Sequence, residues 1–198
     1  MEDFQKVIEY TYHDKNLMTE ALTHSSFSNE GKKYVKNNER LEFLGDSVLS
    51  LVVAEHLFTH YRHQPEGELT KLRAALVCEQ SLYHFAEEIC LGDYLRVGKG
   101  EEHTGGRQRP SILSDAFEAV IASIYLDGGF EEAKRFILRF LPEHMDVKKV
   151  SETSDYKTTL QEIIQKNREE KIEYVLINET GPDHDKLFAV EVLSLINI

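Results

Sequence analysis

Apolar side chains recur at spacings of three and four through the first 143 residues, a period that admits helices and little else. The periodic stretches are Phe4–Tyr10, Asn16–Ser26, Asn38–Phe58, Gly67–Glu88, Ser111–Leu126 and Glu131–Leu141. Helix-breaking residues separate them at Gly31, Pro65–Gly67, the Gly98–Pro110 stretch, Gly128–Gly129 and Pro142. An all-helical domain without strands is expected over 1–145. The polar stretch 146–154 reads as a linker, and beyond it the period changes. Residues 155–166 suit an amphipathic helix, and Ile172–Asn178 and Leu187–Leu195 alternate as strands around a Thr180–Lys186 hairpin turn. The fold class is therefore mainly α, a helical domain followed by an α-β-β unit over 155–198. Two strands and one helix are marginal as an independent fold.

Several classes drop out on composition. The longest apolar runs are too short to span a bilayer, and the N-terminus lacks the basic and apolar regions of a signal peptide. A cytoplasmic protein with no membrane partner is expected. Cys78 and Cys90 are the only cysteines and have no metal-ligand spacing, so they read as core thiols. The formal net charge of −12 argues against a nucleic-acid partner, because phosphate neutralisation needs Lys and Arg. That objection weakens if some of the acids hold divalent cations.

The segment 38–47, NERLEFLGDS, is the most informative. At about 100° per residue, Glu39, Glu42 and Asp46 fall within roughly 60° of one another on one helix face. Leu41, Leu44, Val48, Leu51 and Val52 form a core stripe on the opposite side. A solvated acidic face is the plain alternative. Against it, Glu39 and Glu42 find no Lys or Arg three or four residues on, and like charges at that spacing repel. Phe43 lies near the acidic face and away from the stripe, which suits a protein interface beside the acids. A second segment, SILSDAFEA at 111–119, places Asp115 and Glu118 one turn apart, with Ala119 and Ala122 as their i+4 neighbours. Small residues there let another helix come close. Two pairs of carboxylates on facing helices suit hard Mg²⁺ or Mn²⁺, and such a site performs phosphoryl chemistry.

These two segments resemble the signature motifs of the ribonuclease III family, and ALTHSS at 21–26, PEGELTKLRA at 65–74 and YLDGG at 125–129 resemble its flanking motifs in order and spacing. Residues 155–192 resemble the start of its double-stranded-RNA-binding domain. The resemblance implies a homodimeric, Mg²⁺-dependent endoribonuclease with Mn²⁺ able to substitute. It would cleave double-stranded RNA to 5′-phosphate and 3′-hydroxyl ends, in ribosomal RNA precursors and some messenger RNAs. By motif position, Glu42, Asp115 and Glu118 match metal ligands, Asp46 and Glu118 match catalytic acids, and Glu39 and Glu66 match accessory acids. Phe43 matches an aromatic that docks into the partner subunit, and Gly45 a position with no room for a side chain. Thr158 and Gln161 match the minor-groove helix of the binding domain and His184 its minor-groove loop. That domain continues in the family with a third strand and a basic second helix. Residues 151–198 carry five basic against ten acidic side chains, so this unit is expected to bind RNA weakly by itself.

Other signals compete. His13-Asp14 and His184-Asp185 resemble His-Asp phosphohydrolase pairs, and His60 and His63 have a ligand spacing; surface histidines are the plainer reading. The loop holding Arg96, Lys99, Arg107 and Arg109 is either a basic loop on RNA backbone or an ordinary solvated loop. Two other functions fit parts of the pattern, a silent RNA-binding relative and a metal-dependent hydrolase of small nucleotides.

Overall fold

A computed structural model describes residues 2–30, 35–142, 170–181 and 186–196. The chain divides into two compact units, 1–151 and 152–198. The described part of the first is helical: α1 (Glu2–Val7), α2 (Lys15–Ala21), α3 (Ser25–Glu30), α4 (Glu39–His60), α5 (Glu66–Leu76), α6 (Glu79–Glu88), α7 (Lys99–His103), α8 (Pro110–Gly128) and α9 (Phe130–Leu138). Short 3₁₀ turns cover Leu91–Tyr94 and Gly106–Gln108.

Helix α8 is the axis of this unit. Ile112, Leu113, Ala116, Phe117, Ala119, Val120, Ile121, Ala122 and Ile124 are all buried, so almost every side of the helix is covered. Pro110 begins it, where a missing N–H costs nothing. Gly129 ends it with φ +86°, a left-handed conformation that suits glycine. Against α8 lies α4, which buries Leu41, Val48, Leu49, Val52, Val53 and Leu57. On another side Phe117 meets Phe85, Phe136 and Phe140 at ring separations of 5.9, 5.6 and 5.1 Å. Phe117 and Phe136, the two buried rings of this group, each contribute about 1.5–3 kcal/mol.

The C-terminal end of α8 is tied to the N-terminal segment through Asp127. Its carboxylate accepts the Tyr10 hydroxyl at 2.6 Å and the backbone N–H groups of His13 and Asp14 at 2.8 and 2.7 Å. Tyr12 Oη lies 2.6 Å from Ser123 Oγ in the interior beside it.

Four expectations are corrected. The stretch Asn16–Ser26 is two helices, because Thr23 forms an isolated parallel bridge with Arg96. There Arg96 N–H donates to Leu22 O at 2.8 Å and His24 N–H to Arg96 O at 3.0 Å, bonds that a continuous helix would forbid. The stretch Gly67–Glu88 also divides, at Val77–Cys78, where Cys78 is extended. Leu51 is 58% exposed; Leu49, Val53 and Leu57 bury instead. Both cysteines are exposed.

In the second unit β1 (Glu170–Thr180) pairs antiparallel with β2 (Leu187–Ile196), with Tyr174 opposite Val192. The register shifts between Leu176 and Asn178, which leaves Ile177 as an extra residue. The linker, the helix read over 155–166, and Thr158, Gln161 and His184 lie outside the described residues. No helix among the described residues is long and apolar enough to cross a membrane.

Candidate active site

The acids of α4 and α8 meet because the two helices cross at Gly45. A Cβ on Gly45 would stand 1.9 Å from the carbonyl oxygen of Glu118 and 2.5 Å from its carbonyl carbon. With no side chain there, the helices come almost into backbone contact. Glu42 and Asp46 flank Gly45 on α4, and Glu118 on α8 is brought beside them. Ala119 and Ala122, the small neighbours of the α8 acids, are fully buried.

The electrostatics follow from that approach. Burial raises the Glu118 carboxyl to about 8, and the charges of Asp46, Glu42 and Asp115 push it the same way. Glu42 is raised by burial and then by Asp115, Glu39 and Asp46. Asp115 is raised by burial and by Glu79, with His24 and the Ser114 hydroxyl opposing. Apart from His24, every charge that acts on these three groups is another acid. A carboxyl held near 8 is mostly protonated at neutral pH, so it ionises there only when a cation compensates. Oxygen donors with no basic partner are the donor set that hard divalent cations prefer. Among the described residues, no three His, Cys, Asp or Glu side chains are already drawn into a closed ligand set.

Glu39 stands at the edge of this group, held by the Asn37 side-chain amide at 3.3 Å. Glu66 lies elsewhere. It accepts the Thr70 hydroxyl at 2.9 Å and lines a groove between α4 and α5 with Leu51, Phe58, Leu69 and Arg73. Phe43 is 79% exposed on the outer side of α4, and Phe58 on the same helix is 73% exposed. Glu79 and His24, both acting on Asp115, were not singled out by sequence reasoning. The THSS motif was a visible signal for His24, but nothing in it says which acid the ring would face.

The competing signals resolve into structure. Arg107 pairs with Glu102 at 2.6 Å and donates to the carbonyls of Gly92 and Leu95. Arg109 pairs with Glu101 at 2.5 Å, and Arg96 lies over the Phe27 ring at 4.3 Å. Three of the four basic side chains of that loop are thus engaged within the domain. His13 lies 3.2 Å from the Asp127 carboxylate, and His60 stacks on His56 at 4.2 Å.

Known proteins share this sequence and this helical fold. A family model described as Ribonuclease-III-like matches residues 14–145, and one for the double-stranded RNA binding motif matches 156–194. A protein named Ribonuclease 3 from Caldanaerobacter subterraneus is 52% identical over 189 residues, which is 95% of this chain and 83% of that protein. A Ribonuclease 3 from Listeria welshimeri is 47% identical over 97% of this chain and 84% of its own length. Among solved structures, the nuclease domain of ribonuclease III from Campylobacter jejuni superposes with a TM-score of 0.66 and 51% identity, over 70% of this chain and 94% of that one. That structure was described for flexibility in a region involved in dimer formation. Dicer from Pichia stipitis, at 22% identity and a TM-score of 0.51 over 93% of this chain and 87% of its own, shares the fold. The two family matches and the relatives together define an endoribonuclease with a double-stranded-RNA-binding motif. The chain belongs to the ribonuclease III family.

Proposed function

We propose that the chain cuts both strands of an RNA duplex as a homodimer that depends on Mg²⁺, with Mn²⁺ able to replace it. The products carry 5′-phosphates and 3′-hydroxyls, and the substrates include ribosomal RNA precursors and some messenger RNAs in the cytoplasm. The observation that carries this reading is the close crossing of α4 and α8 at Gly45, which gathers Glu118 with Glu42, Asp46 and Asp115 and raises the buried Glu118 carboxyl to about 8. Buried like charges persist in a fold when something cationic offsets them.

Glu42, Asp115 and Glu118 would hold the ion. When bound, it polarises a phosphodiester oxygen and lowers the pKa of a water. Asp46 completes the cluster and orients the attacking water through its carboxylate. Glu118, the most desolvated of the acids, can take up or release a proton near neutral pH at its carboxylate oxygens. Glu39 serves as an accessory acid at the edge of the cluster; Glu66, which lies apart in the α4–α5 groove, would serve as one where the duplex passes over that groove. Thr158, Gln161 and His184 contact the minor groove of the duplex. Phe43, bare on α4, supports an interface with a second subunit.

Incubation with long duplex RNA, a single strand and free nucleotides, each with Mg²⁺ or EDTA, tests the reading. Mg²⁺-dependent shortening of the duplex alone is expected. Cleavage in EDTA, or nucleotide hydrolysis without duplex cutting, contradicts it. Asp46→Ala should abolish cutting while leaving the dimer intact by light scattering; retained cutting would mean the site is elsewhere.

A further inference from the structure

Near the C-terminal end of α4 the fold brings together two histidines that the acid cluster does not involve. Spacing in the sequence sets His60 beside His63, but in the structure its ring meets His56, one turn back on the same helix. The two rings stack with centroids 4.2 Å apart and planes 27° apart. Residues four apart on a helix share a face, so the pairing follows from the helical repeat. His56 is half-buried and His60 is exposed. Ten residues separate His56 from Asp46, which places the pair about 15 Å along α4 from that acid.

Hydrogen bonding fixes the tautomer of one ring. His60 Nδ1 lies 2.8 Å from the backbone carbonyl oxygen of His56, and a carbonyl only accepts, so Nδ1 carries the proton. The Thr59 hydroxyl stands 3.0 Å from the same nitrogen, while its own proton is directed to the carbonyls of Glu55 and His56 at 2.9 and 3.0 Å. His60 Nε2 is left with the lone pair. Metal-ligating imidazoles are built this way, with one nitrogen donating to a backbone carbonyl or carboxylate and the other bonded to the ion. Among the described residues, neither ring nitrogen of His56 has a hydrogen-bond partner, and neither has His60 Nε2. Glu55, the neighbouring acid on α4, is already paired with Lys134 at 2.7 Å.

We propose that His56 and His60 form a two-nitrogen chelate for a borderline divalent transition ion of the Ni²⁺, Cu²⁺ and Zn²⁺ class, a site separate from the acid cluster. Imidazole suits these ions and carboxylates suit hard Mg²⁺, so ligand chemistry distinguishes the two places. Two nitrogens each about 2.0–2.1 Å from one ion stand roughly 3 Å apart, and rings stacked at 4.2 Å close to that by tilting toward each other. Water fills the remaining positions. The chelate spans the last turn of α4, which carries Phe58, so the ion would clamp one wall of the groove between α4 and α5. Nothing in this depends on the metal reading of the acids.

The test is a calorimetric titration of Ni²⁺ into the untagged full chain in excess Mg²⁺ at pH 7.5, where imidazole is mostly neutral. The parent should bind about 100-fold more tightly than His60→Ala, because a second ligand on the same turn makes its contact intramolecular. His60 is exposed, so this variant keeps the fold, and His56→Ala should match it. Ni²⁺ should also raise the urea midpoint of the parent more than that of His60→Ala, since the chelate exists only in the folded helix. His103→Ala, which removes an exposed imidazole on α7, and Asp115→Asn should both bind as the parent does. Equal affinity in the parent and His60→Ala overturns the proposal. So does an equal loss in His103→Ala, which would assign the binding to scattered surface imidazoles. Loss of the site in Asp115→Asn overturns it as well, because the ion would then sit in the acid cluster.

Discussion

Gly45→Ala is the substitution that probes the construction of the site most directly. The added Cβ would lie 1.9 Å from the Glu118 carbonyl oxygen, whereas ordinary contact begins at 3.4 Å, so α4 and α8 must part by about 1.5 Å. Both obstructing atoms belong to backbone, and no side chain can swing aside. Overpacking a core by a methyl group costs typically about 1–3 kcal/mol, and a backbone collision sits at or above the upper end. Alanine returns about 1 kcal/mol of helix propensity, leaving a net loss of about 2 kcal/mol. In a protein of this size that lowers Tm by roughly 4–8 °C. Misplacing a catalytic group by about 1 Å costs on the order of 100-fold in rate, so cutting should fall more steeply than stability. Urea unfolding and single-turnover cleavage of duplex RNA measure the two effects. The control is Gly67→Ala on α5, where nothing lies within 4 Å of the added carbon and the variant should be at least as stable as the parent. If Gly45→Ala unfolds at the parent's urea concentration and cuts at the parent's rate, the close crossing does not build the site.

Glu118→Gln should remove cleavage and yet stabilise the protein in EDTA near pH 7.5. The folded-state carboxyl, at about 8, lies above its unfolded value, so stability falls as pH rises between the two, and the amide escapes this loss. Urea midpoints that move in parallel for parent and variant at pH 5 and pH 8 would refute it. Asp127→Asn should destabilise in the opposite direction of pH. Burial alone would raise the Asp127 carboxyl, but the Tyr10 hydroxyl and the N–H groups of Asp14 and His13 hold it below its usual value. A depressed carboxyl contributes stability above its unfolded pKa of about 4 and loses it as pH falls through the folded value. The gap between parent and variant should therefore narrow in acid, and a constant gap between pH 7 and pH 3 would contradict this.

Much of the fold can be read from residue spacing alone, and the failures share one cause. Helices α4 and α8 run close to the limits that their apolar period suggests, since a period sustained over five turns leaves no competing structure. The hairpin also lies where alternation and the Thr180–Lys186 turn place it. The division at Thr23 was not legible, because its partner Arg96 lies 73 positions away and no local pattern announces a bridge of that range. Leu51 was misplaced because an apolar residue at a helix-face boundary reads the same whether it meets the core or a surface groove. Short α7 escaped notice inside a glycine-rich stretch, where its fold depends on the Arg107–Glu102 and Arg109–Glu101 pairs.

The same division runs through the acid cluster. Glu39, Glu42 and Asp46 share one helix face, and Asp115 and Glu118 another, because the helical repeat is set by local hydrogen bonds and carries each side chain round by a constant angle. That much belongs to the sequence by itself. The meeting of the two faces at Gly45 depends on how the core packs around α8. Burial is what raises Glu118 to about 8, and burial is a property of everything packed around a residue. The acids were legible as a list; their chemistry required the tertiary structure.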